Sequence, residues 1–280
     1  MRELNVEAIT EVIAKMAVEV NSYLSSDVCE AIAKCKAEED WPIAEDILDK
    51  IQQNIEIAKK EFVPLCQDTG FACVFLEVGQ DVHLVGGSIE DAVNEGVRRG
   101  YTDGYLRKSV VKDPIRRGNT GDNTPAHIHY EIVPGDRLEI TVAPKGFGSE
   151  NMSAIKMLKP SDGVAGVLDF VVQTVGEAGP NPCPPIVVGI GIGGTFEKAA
   201  YLAKKALLRN VESANPDPYY AALEQELLNR INALGIGPQG FGGATTALGV
   251  NIETYPTHIA GLPVAVNISC HVTRHESEVL

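Results

Sequence analysis

The fold class follows from HIHYEIVPGDRLEITVAP, residues 127–144. Two segments in which apolar and polar residues alternate, 127–133 and 137–144, flank the sequence Pro134-Gly135-Asp136. Alternation with a period of two is typical of strands that bury one face, and Pro-Gly-Asp is typical of a tight turn. The stretch therefore predicts a β-hairpin.

Helical patterns lie on both sides of this hairpin. Residues 4–62 carry apolar side chains at spacings of three and four, with breaks near Ser25–Ser26 and Trp41–Pro42. They predict a helical N-terminal part, about residues 1–62, in two or three pieces. Further helices are predicted at 88–106, 163–179, 195–208 and 217–235, and further strands at 71–78, 81–85, 186–192, 245–254 and 263–270.

The order of these elements predicts an α+β fold. Helices and hairpins mix without strict alternation of strand and helix, so we expect helices packed around a mixed, largely antiparallel β-sheet. The sequence shows no internal repeat and no linker that would separate independent domains. We therefore predict a single domain over residues 1–280.

The charge balance excludes two classes of partner. The chain carries 38 acidic and 24 basic residues, a formal net charge of −14 at pH 7. Such a chain is not expected to bind nucleic acid or an anionic membrane surface. No apolar run is long enough to span a membrane, and the acidic, helical N-terminus is not typical of a signal peptide. A cytoplasmic protein is expected.

Three of the six cysteines stand where functional groups are often presented. Cys29, Cys35 and Cys73 fall within predicted helices or a strand and are interpreted as core residues. In contrast, Cys66 lies in the turn VPLCQDTG, Cys183 in the proline-rich loop GPNPCPP, and Cys270 at the end of a strand pattern. From spacing alone two interpretations stay open, namely three ligands of an iron–sulfur cluster or three buried thiols.

A glycine pattern offers a competing hypothesis. Gly189, Gly191 and Gly194 form G-x-G-x-x-G between a predicted strand and a predicted helix. A dinucleotide-binding fold needs an acidic residue about 20 positions later at the end of a second strand, and the sequence there is the end of a helix. Tight packing of strand against helix is the alternative to anion binding by this loop.

Six loops together resemble a known family. PLCQDTG, LRKS, GNTGDNTPA, KGFGSEN, NPCPPIVVGIGIGGTFEKAA and PTHIAGLPVAVNISCH resemble, in this order, the α-subunit of class I fumarate hydratases and the related L-tartrate dehydratases. The resemblance extends from about residue 5 to residue 275. It implies a [4Fe–4S] cluster held by Cys66, Cys183 and Cys270, with one iron left open to act as a Lewis acid on the substrate.

The same resemblance implies roles for other residues. Asp68 would be the catalytic acid or base, and Gln67 and Arg107 would bind substrate carboxylates. His258 matches a family active-site histidine. Gly146 and Gly148 match a substrate-binding glycine loop, although Phe147 stands where the family more often has a third glycine. Asn119, Thr120, Asp122 and Asn123 are expected to shape the pocket.

The implied reaction is the reversible hydration of fumarate to L-malate, and the alternative is the dehydration of L(+)-tartrate. Single-chain relatives continue into a second domain that supplies further substrate-binding groups, and nothing in HVTRHESEVL, residues 271–280, is expected to supply them. A separate β-subunit is therefore expected to complete the site for a small dicarboxylate, in an α2β2 assembly. A nucleotide-dependent enzyme and a non-catalytic scaffold are the competing functional classes.

Overall fold

A computed structural model describes residues 2–280. The contacts of these residues divide into two compact units. Unit 1 comprises residues up to 24, 55–147 and 274–280, and unit 2 comprises residues 25–54 and 148–273. Whether the two units together form the single domain predicted over residues 1–280 depends on how they associate, and this stays a prediction.

Helices and strands alternate irregularly along the chain. The helices are α1 (Val6–Ser22), α2 (Ser26–Glu38), α3 (Pro42–Glu61), α4 (Ile89–Asp103), α5 (Phe147–Glu150), α6 (Gly163–Ala178), α7 (Phe196–Ala206) and α8 (Pro218–Asn232). The strands are β1 (Arg2–Asn5), β2 (Phe71–Gly79), β3 (Val82–Val85), β4 (His127–Val133), β5 (Leu138–Lys145), β6 (Ala154–Leu158), β7 (Ile186–Gly193), β8 (Ala247–Tyr255), β9 (Leu262–Ser269) and β10 (Glu276–Val279). The sheets contain parallel and antiparallel pairs, so the predicted α+β class is confirmed.

The N-terminal helices begin where the sequence predicts. Ser25 is the N-cap residue of α2, and α3 begins at Pro42, a residue that is well tolerated in the first turn of a helix. The strand β1, which pairs in parallel with β3, was not predicted. Four residues are too few to show an alternating pattern.

The predicted hairpin at 127–144 is wrong. In unit 1 the strand order is β10-β5-β2-β4, so β2 lies between the two strands that the turn connects. The turn crosses the end of β2, where the Gly79 and Asp81 amides donate to the Arg137 and Gly135 carbonyls over 2.8 and 2.9 Å. A Cβ atom on Gly79 would lie 2.6 Å from the Gly135 oxygen. The missing side chain of Gly79 therefore permits the crossing.

Unit 2 repeats this topology. Its strand order is β6-β9-β7-β8, with β7 parallel to β8 and antiparallel to β9. The loop from β8 to β9 crosses the end of β7, where the Gly194 amide donates to the Tyr255 carbonyl and the Thr257 hydroxyl donates to the Gly194 carbonyl. In both units a fourth strand pairs antiparallel with the strand that follows the crossing. The amino-acid sequence shows no repeat that would predict this shared topology.

Each sheet is covered by helices. In unit 1, α1 and α4 pack on one face of the sheet, and a Cβ atom on Gly96 or Gly100 of α4 would lie within 2.8 Å of α1. In unit 2, α6 and α8 pack on one face of the sheet. On the other face a Cβ atom on Gly189 or Gly191 would lie about 2 Å from carbonyl oxygens of α7. The G-x-G pattern is thus explained by close packing of α7 on β7.

Substitution of Gly79 tests the crossing in unit 1. Because the new methyl group overlaps the main chain of the turn, Gly79→Ala is expected to lower the free energy of unfolding by roughly 1–3 kcal/mol. Urea denaturation followed by circular dichroism measures the change. As a control, Gly176→Ala places the same methyl group in open space on α6 and should raise stability by about 0.5–1 kcal/mol. Equal stability of Gly79→Ala and the wild type would contradict the crossing.

Candidate active site

In unit 1, the turn before β2 holds Asp68 in one orientation. The Asp68 carboxylate accepts hydrogen bonds from the Gly70 amide over 3.1 Å and from the Phe147 amide over 3.0 Å. Gly70 has a φ of +80°, and a Cβ atom there would lie 2.8 Å from the Lys145 nitrogen. Only glycine fits this position without strain. The turn, and with it the Asp68 carboxylate, is therefore fixed against the end of β5.

The segment that carries Arg107 is attached to the same turn. The Thr69 hydroxyl accepts from the Arg107 amide over 2.9 Å and donates to the Arg107 carbonyl. Asn123, which is fully buried, accepts from the Ser109 amide over 2.7 Å and donates to the Gly70 carbonyl over 3.2 Å. The Arg107 side chain is exposed and makes no ion pair with any residue in the range 2–280. Its guanidinium is thus available to an anion.

Cys66 and Gln67 form the first part of this turn. The Asp68 amide donates to the Cys66 sulfur over 3.4 Å, and the Cys66 thiol donates to the Gln67 side-chain oxygen over 3.3 Å. Amide donation to sulfur is a contact that also stabilises a thiolate ligand. Gly146 lies next to the turn, since a Cβ atom on it would be 3.3 Å from Asp68 Oδ2. Unit 1 therefore brings together Cys66, Gln67, Asp68, Arg107 and Gly146.

Arg274 is a member of this group that the sequence analysis did not identify. Its Nη2 donates to the main-chain carbonyl of Asp68 over 2.7 Å, and only 5% of its surface is exposed. The buried Tyr101 hydroxyl donates to the next carbonyl, that of Thr69, over 2.7 Å. Burial raises the pKa of Tyr101, so this hydroxyl stays protonated as a donor. The distance of 206 residues between Arg274 and Asp68 left no local signal to read.

The polar loop 119–125 is engaged in local structure. Burial raises the pKa of Asp122, but hydrogen bonds from Arg98 and Thr124 outweigh it and lower the pKa to about 2. Asn119 donates to the Lys108 carbonyl over 2.8 Å, and the Thr120 amide donates to the Val110 carbonyl. These side chains therefore fold the loop beside the Arg107 segment.

In unit 2, the Cys183 and Cys270 segments meet. His271, the residue after Cys270, donates its main-chain amide to the Cys183 carbonyl over 3.4 Å, and its Nδ1 lies 3.0 Å from the same oxygen. Gln239 donates both its amide and its side-chain nitrogen to the Pro184 carbonyl, each over 2.8 Å. Cys183 is exposed. Gln239 was not predicted from the sequence, and its positive φ of 54° is uncommon for a residue other than glycine.

His258 lies at the other end of this sheet. It belongs to the loop that crosses the end of β7, whereas Cys183 precedes the start of β7. Eight strand residues separate the two ends by roughly 25 Å. The His258 Nδ1 accepts from the Ala260 amide over 3.2 Å, which leaves Nε2 as the donor in the neutral ring.

Gly148, the other predicted glycine of the loop after β5, belongs to unit 2. A Cβ atom on Gly148 would lie 3.9 Å from the Asn181 oxygen.

His258 lines a largely apolar cavity of about 380 Å³ between α6, α8 and the end of the sheet. Tyr219, Leu223, Leu168 and Ile259 are among its walls. None of the described residues that line it is a lysine or an arginine. A desolvated dianion requires cationic partners or several N–H donors, and the side chains that line this cavity offer one imidazole N–H, so it suits a dicarboxylate poorly.

The predicted ligand set is distributed over both units. Cys66 lies in unit 1, and Cys183 and Cys270 lie in unit 2. No group of three or more His, Cys, Asp or Glu side chains within residues 2–280 is arranged as a metal site. None of the six cysteines forms a disulfide, so thiol sulfurs, the donors that iron–sulfur clusters prefer, are present at all three positions. The chemistry of the three donors fits a cluster, and their convergence on it stays a prediction.

Within the described part of the chain, no helix combines the length and the apolar character needed to cross a membrane.

Comparison with known proteins identifies the family. A family model described as "Fumarate hydratase (Fumerase)" matches residues 10–279. A protein of Methanocaldococcus jannaschii, provisionally named L(+)-tartrate dehydratase subunit alpha, is 44% identical over 271 residues, which cover 95% of each chain. The L(+)-tartrate dehydratase subunits alpha of Escherichia coli strains UTI89 and K12 are 34% and 33% identical over 273 residues, 96% of this chain and 89% of theirs.

These matches cover almost the whole sequence. Members of this family are hydro-lyases, and the relatives named above are α-subunits. The chain belongs to the family of class I fumarate hydratases and L(+)-tartrate dehydratase α-subunits.

Proposed function

We propose that this chain is the α-subunit of a hydro-lyase that reversibly hydrates fumarate to L-malate. The observation that supports this most directly is that one turn holds the Asp68 carboxylate by two main-chain amides and fixes, through Thr69, the main chain of Arg107, whose guanidinium is exposed. The dehydration of L(+)-tartrate is the second candidate, because the named relatives at 33–44% identity are tartrate dehydratase subunits. Both substrates are four-carbon dicarboxylates that differ in their hydroxyl groups.

Different residues of unit 1 are proposed to bind the substrate and to transfer its proton. The planar guanidinium of Arg107 binds one substrate carboxylate, where two parallel N–H···O bonds fix its orientation. The Asp68 carboxylate moves the proton at the substrate carbon next to the one that bears the hydroxyl. The amides of Gly70 and Phe147 keep its two oxygens in place, so no reorientation is needed during the step. Gln67 offers its amide to the second carboxylate.

Cys66, Cys183 and Cys270 are proposed to hold a [4Fe–4S] cluster. With three cysteine ligands, the cluster supplies a Lewis-acidic iron for the departing or entering hydroxyl group. The chain's own contribution is to fix the ligand loops: the Asp68 amide donates to the Cys66 sulfur, and Gln239 and His271 hold the main chain around Cys183.

A separate β-subunit is proposed to complete the active site, in a cytoplasmic α2β2 assembly. The names of the relatives as α-subunits support a partner chain. The position of His258, roughly 25 Å of strand away from Cys183, supports a second copy of this chain. If His258 serves a site that includes Cys183, it reaches that site from another protomer.

Activity is expected only with the partner. The chain alone should show little or no turnover, and co-expression with its β-subunit under anoxic conditions should give a complex that interconverts fumarate and L-malate. The loss of fumarate absorbance measures this reaction, and oxaloacetate formation from L(+)-tartrate measures the alternative. A tenfold higher kcat/KM for tartrate would assign the chain to the second candidate. Full activity of the isolated chain would contradict the need for a partner.

The three cysteine positions are expected to be required for the cluster. Cys66→Ser, Cys183→Ser and Cys270→Ser should each lose iron, sulfide and visible absorbance after anaerobic reconstitution of the complex. Cys29→Ser is the matched control, because Cys29 lies on α2, and it should reconstitute like the wild type. An unchanged iron content in any one of the three variants removes that residue from the ligand set.

Asp68 is expected to contribute to chemistry more than to binding. Asp68→Asn keeps the size of the side chain and one oxygen acceptor but removes the charge that accepts the proton. The kcat of the reconstituted complex should fall by roughly 100- to 10,000-fold. Iron content and KM should change little. A kcat within threefold of the wild-type value would exclude Asp68 as the acid or base.

A further inference from the structure

Arg274 is a buried cation without an anionic partner. Only 5% of its surface is exposed, and its Nε is buried without a hydrogen-bond partner. Over residues 2–280, its hydrogen bonding consists of the contact from Nη2 to the Asp68 carbonyl, and no carboxylate forms an ion pair with it. Burying a charged group without a paired charge is energetically unfavourable. The fold therefore keeps Arg274 at a cost in stability.

The position of Arg274 is set by the strand that follows it. β10 begins at Glu276 and pairs antiparallel with β5, and the Ser277 and Thr141 hydroxyls share a hydrogen bond of 2.7 Å. β5 in turn leads to Gly146 and Phe147, which adjoin the Asp68 carboxylate. The guanidinium and the Phe147 amide therefore reach Asp68 from two neighbouring strands of one sheet.

Both parts of Asp68 are held through this arrangement. Arg274 holds the main-chain carbonyl, and the amides of Gly70 and Phe147 hold the carboxylate. If the carbonyl is released, the peptide between Asp68 and Thr69 can rotate, and the carboxylate then leaves its two amide donors. A misplacement of about 1 Å can reduce an enzymatic rate by 100-fold.

We propose that Arg274 is a positioning residue for the reaction and acts through Asp68. It fixes the main chain of the turn, so that the carboxylate meets the substrate in one orientation. Its role differs from that of Arg107, whose exposed guanidinium is suited to touch the substrate. The activity part of the test rests on the proposed function, and the hydrogen-exchange part does not.

The first measurement is amide hydrogen exchange on the full-length chain. In Arg274→Met, the amides of Gly70 and Phe147 should exchange at least tenfold faster than in the wild type. The Ile252 amide, which donates to the Glu224 carboxylate in unit 2, reports on general stability and should be unchanged. Arg230→Met, which removes a half-exposed arginine of α8, is the matched control and should change neither Gly70 nor Phe147. Unchanged exchange at Gly70 and Phe147 in Arg274→Met overturns the proposal.

The second measurement separates kcat from KM in the reconstituted complex. Arg274→Met should lower kcat by 10- to 100-fold with KM within threefold, whereas Arg107→Met should raise KM. Arg274→Lys, which keeps the positive charge and a hydrogen-bond donor, should recover part of the lost kcat. If Arg274→Met folds poorly, the kcat and KM of Arg274→Lys are measured in its place. In the Asp68→Asn background, Arg274→Met should cause no further loss. A further loss of the full 10- to 100-fold in that background would show that Arg274 does not act through Asp68.

A complex that converts neither fumarate nor tartrate would contradict the proposed function, and the exchange measurement would still decide the role of Arg274.

Discussion

Each four-stranded sheet has a central strand, β2 in unit 1 and β7 in unit 2, that lies between one parallel and one antiparallel neighbour. The positions of the candidate site residues depend on this arrangement. The start of the central strand adjoins the end of its antiparallel neighbour and the start of its parallel neighbour. Three loops therefore meet at one edge of each sheet. In unit 1 they carry Asp68, Phe147 and Asn123, and in unit 2 they carry Cys183, His271 and Gln239. The residues implied by the family resemblance thus lie at topologically equivalent edges, with His258 as the exception.

In both units, a side-chain amide donates a hydrogen bond to the main chain just before the central strand begins. Asn123 donates to the Gly70 carbonyl and Gln239 donates to the Pro184 carbonyl, in both cases just before the central strand begins. Both residues have a positive φ, 64° and 54° respectively. An unfavourable backbone conformation of this kind persists only where the surrounding contacts fix it. The amide side chains therefore explain how loops next to the predicted ligands Cys66 and Cys183 keep a defined shape.

The sequence predicted what local patterns determine. Caps and prolines predicted the starts of α2 and α3, and the loop motifs singled out Asp68 and Arg107, whose segments meet through Thr69. It could not predict strand order, because Pro-Gly-Asp supports a turn whether or not the connected strands are neighbours. The crossing is visible in the strand order and in the contacts of Gly79 and Asp81 with residues 135–137. Arg274 was missed for the same reason, since its contact with Asp68 depends on the pairing of β10 with β5.

The cavity beside His258 in unit 2 and the turn that carries Asp68 in unit 1 differ in the charge of their side chains. The cavity beside His258 offers apolar walls and no guanidinium or ammonium group, whereas the Asp68 turn has one exposed and one buried arginine. A dianion that approaches a chain of net charge −14 is repelled at long range and needs local cations to bind. Because Arg107 and Arg274 have no carboxylate partner among the described residues, their charge is not neutralised within the chain. We therefore propose the turn before β2 as the place in unit 1 where a dicarboxylate would find both a cation to bind and a carboxylate to exchange its proton.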